Sequence, residues 1–72
     1  MRKKEIDLAT GNSELSEREH EVLQLLARGM SRNEIANKLF VSPETVKKHT
    51  RNIYKKLEVK NKIEALHKMK WL

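Results

Sequence analysis

The chain has 72 residues, no cysteine and a formal net charge of +6. A single small domain is the most this length can fold, and a core so small gains from association with a second copy. The missing cysteine excludes disulfides, a thiol nucleophile and a thiolate zinc site; no apolar run approaches the ~18 residues of a membrane span, so the expected setting is the cytoplasm.

Where the charge lies says more than its total. Between Ser42 and Lys62 stand seven cations (Lys47, Lys48, Arg51, Lys55, Lys56, Lys60 and Lys62) against Glu44 and Glu58, a local +5 that leaves +1 for the rest of the chain. A field so concentrated draws a polyanion to one face. The bland alternative is a solvated lysine-rich helix.

Residues 1–14 read as a flexible tail or linker, with basic Met1-Arg2-Lys3-Lys4, isolated Ile6 and Leu8, and the turn residues Gly11-Asn12-Ser13. A domain over 15–72 then opens with a helix expected at about 16–28. Its start is the capping box Ser16-Glu17-Arg18-Glu19, and Gly29 supplies its left-handed stop. Ser31 with Glu34 repeats the box and begins a helix over 32–39, whose apolar stripe is Ile35, Ala36 and Leu39. Pro43 disfavours helical geometry at Ser42 but suits the first position of a new helix. The connection Phe40 to Ser42 is therefore short, and the next helix, about 43–57, must leave at an angle.

At about 100° per residue, Val46, Thr50, Ile53 and Leu57 fall on one side of that third helix. Glu44, Lys48, Arg51 and Lys55 fall on the other, flanked by Lys47 and Asn52. The apolar side has Val22, Leu26, Ile35 and Leu39 to seat on. Two helices at a sharp angle, the second showing outward cations, match what reading a DNA major groove requires. A fourth helix, about 62–70, starts at Asn61 with Glu64 three residues on. The stem of Lys62, with Ala65, Leu66 and Met69, lines its core side. Ile63, His67 and Trp71 form a second line, which either completes the core edge or is buried by a two-fold copy. A two-fold dimer would place two reading helices in major grooves ~34 Å apart. No strand-like alternation is present, and the expected architecture is all-α with four helices.

Several residues together resemble the LuxR-type (GerE-type) helix-turn-helix domain. They are Leu15-Ser16-Glu17-Arg18-Glu19, Val22-Leu23, Gly29-Met30-Ser31, Glu34-Ile35-Ala36, Leu39, Val41-Ser42, Thr45-Val46-Lys47, His49, Asn52-Ile53, Lys56-Leu57, Val59 and Ala65. The resemblance runs from about Glu14 to Leu72. It implies a bacterial transcriptional regulator, with the third helix in the major groove of double-stranded DNA and the fourth helix making a homodimer. It implies base contacts from Lys47, Lys48 and Arg51, and phosphate contacts from Ser42, Thr45, Asn52, Lys55 and Lys56. The chemistry agrees, because Arg and Lys suit guanine O6 and N7 while hydroxyls and amides donate to phosphate oxygens. Three features depart from the family pattern: Glu58 where glycine is frequent, Lys62 where arginine is common, and the end Lys70-Trp71-Leu72.

Two rival readings remain. The promoter-reading region of a sigma factor shares the Leu15–Glu19 run and would act with RNA polymerase, which is also a candidate partner of a regulator. A protein-interaction module would set the basic face against an acidic protein. His20, His49 and His67 are far apart in sequence with no neighbouring ligands, so neither a metal nor another cofactor is expected. Without a carboxylate pair, a nucleophile triad or a glycine-rich phosphate loop, the chain does not read as an enzyme. No small-molecule site is expected within it. Tyr54 and Trp71 are too few to form a stacking platform for single strands.

Overall fold

The computed structural model describes residues 15–72, so the tail or linker expected over 1–14 lies outside the described residues. Four helices follow one another: α1 (Glu17–Ala27), α2 (Arg32–Leu39), α3 (Pro43–Leu57) and α4 (Lys62–Lys68). No strand occurs among the described residues. The all-α, four-helix expectation is met.

Each helix begins where a side chain satisfies an orphan backbone donor. At α1 the Glu19 amide donates to Ser16 Oγ (3.1 Å), and the Ser16 amide donates to Glu19 Oε1 (2.9 Å). At α2 the Glu34 amide donates to Ser31 Oγ (3.2 Å), and the Ser31 amide donates back to Glu34 Oε1 (2.8 Å). The Thr45 amide donates to Ser42 Oγ (3.1 Å) at α3, just after the Pro43 start. Asn61 Oδ1 accepts from the Glu64 amide (2.9 Å) at α4. Losing any of these caps costs ~1 kcal/mol.

All four helices also end in one way. A single residue turns left-handed: Gly29 (φ 88°), Phe40 (φ 58°), Glu58 (φ 58°) and Lys70 (φ 63°). The next amide then reaches back into the last turn. Met30 donates to Leu25 O (3.2 Å), Val41 to Ala36 O (3.0 Å), Val59 to Tyr54 O (2.9 Å) and Trp71 to Leu66 O (2.9 Å). Met30, Val41, Val59 and Trp71 all pack on the core. This is the Schellman closure, in which an apolar residue just past the helix anchors the reversal. A non-glycine residue in left-handed geometry costs roughly 1–2 kcal/mol, and that cost falls on Phe40, Glu58 and Lys70.

The closure at Lys70 corrects the expected extent of the fourth helix. It stops at Lys68 rather than running to 70. Trp71 reaches the side of α1 only because the chain reverses first. Its ring meets His20 edge-on, with centroids 5.4 Å apart and planes at 84°.

The core is built from Val22, Leu23 and Leu25 of α1, Ile35 and Ala36 of α2, Val46, Ile53 and Leu57 of α3, and Ala65 and Leu66 of α4. Leu26 and Leu39, expected to seat the third helix, are only partly buried and pack around that centre. α3 is in contact with every other helix, so its axis is held from three sides.

Candidate nucleic-acid interface

With Val46, Ile53 and Leu57 buried, the opposite side of α3 must face solvent. It presents Glu44, Lys47, Lys48, Arg51 and Lys55, all exposed. From Glu44 to Lys55 this strip runs roughly 16 Å at 1.5 Å per residue, a length that a duplex groove accommodates. None of its four cations has an acidic partner among the described residues, where the ion pairs are Arg18–Glu21 and Glu19–Lys56. Thr50 turns its hydroxyl back onto the Val46 carbonyl (2.9 Å), so it stays with the helix backbone.

The residues expected to meet phosphate do not form one group. Ser42 is exposed and Thr45 half-buried at the start of α3. Their hydroxyls lie 3.0 Å apart, and Ser42 Oγ also accepts the Thr45 amide. One hydroxyl hydrogen closes the Ser–Thr bond, so the pair has a single O–H left for an outside acceptor. Asn52 is half-buried beside the strip, and Lys55 is fully part of it.

Lys56 differs. Its Nζ lies 2.7 Å from Glu19 Oε1, and the Glu19 side chain is 6% exposed against 37% for Lys56. Burial alone pushes the Glu19 carboxyl up. The Lys56 ammonium and the Ser16 amide and hydroxyl outweigh it and hold the group below its ordinary value. The ammonium of Lys56 thus ties the C-terminal half of α3 to the start of α1. Glu19 is the functional residue that sequence reading missed. Its capping-box role is legible, but its second partner lies 37 positions away.

The three residues expected at a dimer face are also divided. Ile63 is 53% exposed and His67 is exposed, both on α4, whereas Trp71 lies beyond the helix and half-buried against α1. Among the described residues, no three histidine, aspartate or glutamate side chains come close enough to hold a metal ion, and no helix is long and apolar enough to cross a membrane.

Comparison with known proteins agrees with this geometry. The family model for bacterial regulatory proteins of the luxR family matches residues 13–69. The CsgBAC operon transcriptional regulatory protein of Escherichia coli strain K12 is 47% identical over 58 residues, covering 81% of this chain and 27% of that protein. The transcriptional regulatory protein DesR of Bacillus subtilis strain 168 is 44% identical over 64 residues, covering 89% of this chain and 32% of that protein. In the crystal structure of the response regulator ChrA of a heme-sensing two-component system, a region covering 81% of this chain and 29% of that one superposes with a TM-score of 0.75 at 45% identity. The chain therefore spans about a third or less of the length of these relatives. Its helix order, its capped and cation-bearing third helix and this match together establish that the chain belongs to the LuxR family of bacterial regulatory proteins and carries that family's DNA-binding domain.

Proposed function

We propose that this domain reads double-stranded promoter DNA by laying α3 in the major groove, and that it regulates transcription in the cytoplasm as a homodimer on an inverted repeat. The observation that carries this reading is the strip Lys47, Lys48, Arg51 and Lys55, free of acidic partners on a helix buttressed from three sides. Lys47, Lys48 and Arg51 meet base edges, where Arg and Lys recognise guanine O6 and N7. Lys55, Asn52 and the single donor of the Ser42–Thr45 pair meet phosphates, which set register and add salt-dependent affinity. Lys56 contributes by holding the helix at its angle through Glu19.

Ile63 and His67 supply the dimer contact, since both are exposed on α4 away from the α3 strip. Trp71 supports that face from its place against His20.

Selection of bound sequences from random duplex DNA at near-physiological salt tests the whole reading. The expected product is an enriched inverted repeat with half-sites about one helical turn apart. Absence of enrichment, with binding that vanishes as salt rises, would reduce the strip to a nonspecific basic surface.

A further inference from the structure

The α1–α2 corner and α3 enclose an open groove of about 470 Å³. Leu26 and Met30 from the corner, with Val46 and Tyr54 from α3, give it an apolar lining. Arg32, Lys47 and Arg51 stand around it, and none has an acidic partner among the described residues. Arg32 comes from outside the basic 42–62 segment and joins its field only through the fold. Burial pushes the Tyr54 phenol up, so the groove gains no negative charge there.

We infer that this groove seats one sugar–phosphate strand of the duplex, with Arg32 as a phosphate contact on the wall facing α3. The inference rests on the reading of α3 as the groove-entering helix. A helix in a major groove ~12 Å wide has a phosphate strand along each flank. On the flank carrying Lys47 and Arg51, the second wall is the α1–α2 corner. A strand passing between the walls offers deoxyribose to the apolar lining and phosphate to the cations. Arg32 is the first residue of α2, where the helix dipole also favours an anion. Its planar guanidinium can take two phosphate oxygens at once. Ser31 Oγ accepts from the Glu34 amide and keeps its O–H for a donor role at the same rim.

The partner is the DNA backbone rather than a base because Arg32 stands off α3, across the groove from the reading strip. The α1–α2 corner then fixes how α3 enters the duplex, and α3 is no longer the sole DNA-contacting element.

The test compares the full chain with Arg32→Gln and Arg32→Lys on the selected operator and on a scrambled duplex, across 50 to 200 mM salt. Arg32→Gln should weaken both duplexes by the same factor and flatten the salt slope by about one unit. Its deficit relative to the wild type should therefore shrink about threefold across that range. Arg32→Lys should restore most of the slope, since it keeps the charge. Ethylation of single phosphates should reveal one position whose interference disappears in Arg32→Gln. An unchanged slope, or a loss confined to the operator, would overturn the inference while α3 reading stands. A wild-type chain that fails to bind duplex DNA would instead defeat the reading beneath it. Arg32 is exposed, and unchanged melting of both variants separates lost contact from lost fold.

Discussion

Lys56→Ala separates a residue that holds the reading helix from one that touches DNA. It leaves the Glu19 carboxylate buried with only its Ser16 donors, since Lys56 Nζ at 2.7 Å is its one cationic partner. A hydrogen bond to a charged group is worth about 1.5–3 kcal/mol net. Lys56 is 37% exposed, so water screens part of that attraction and the lower end applies, about 1.5–2 kcal/mol. For a domain of this size, thermal unfolding should shift down by roughly 6–16 °C at neutral pH.

The pH dependence follows from the direction of the Glu19 shift. The folded carboxyl ionises more readily than the unfolded one, so its stabilisation is fully present above the ordinary glutamate range. It is lost as pH falls through that range and then through the lower folded value. The gap between wild type and Lys56→Ala should close over the same interval, and Glu19→Gln should behave alike. A double-mutant cycle should return a coupling of ~1–2 kcal/mol. Measured well below melting, Lys56→Ala should keep the salt slope of DNA binding, whereas Lys55→Ala should flatten it by about one unit. If Lys56→Ala melted within about 2 °C of wild type yet flattened the slope, Lys56 would be a phosphate contact and the positioning argument would be wrong.

Further outcomes are expected from single changes. Glu58→Gly relieves a left-handed residue at φ 58° and should raise the urea midpoint by the equivalent of ~1 kcal/mol; a fall would mean that the Glu58 side chain contributes something the geometry does not show. Gly29→Ala should lower stability by ~1 kcal/mol through backbone strain alone, because nothing lies within 4 Å of the added methyl. Arg51→Ala should cost ~1–3 kcal/mol on the selected operator and relax one base position, and an equal loss on every sequence would reassign Arg51 to phosphate. Ile63→Glu should leave a single half-site bound while abolishing cooperative occupancy of the full repeat; unchanged cooperativity would exclude α4 as the dimer contact.

The helix starts were legible because each is a local event. Ser16, Ser31, Ser42 and Asn61 cap donors three residues away, and three-residue spacing is visible in any sequence. The cationic strip of α3 was legible for a similar reason: helical periodicity assigns faces without reference to neighbours. Three of the four stops were not read, because Phe40, Glu58 and Lys70 lack the glycine that usually marks a left-handed turn. The signal that could have exposed them is the apolar residue following each, at Val41, Val59 and Trp71.

Only the tertiary structure decided what long-range packing controls. Lys56 belongs to a basic run in the sequence, but the fold brings α1 alongside it and gives its charge to Glu19. Trp71 continues a helical stripe on paper, yet the reversal at Lys70 turns it against His20. Arg32 lies in a segment of nearly balanced charge until the α1–α2 corner carries it beside Lys47 and Arg51. Local hydrogen bonds and helical period are encoded within a few residues of where they act; which charges and rings become neighbours depends on how α1, α2 and α4 pack around α3.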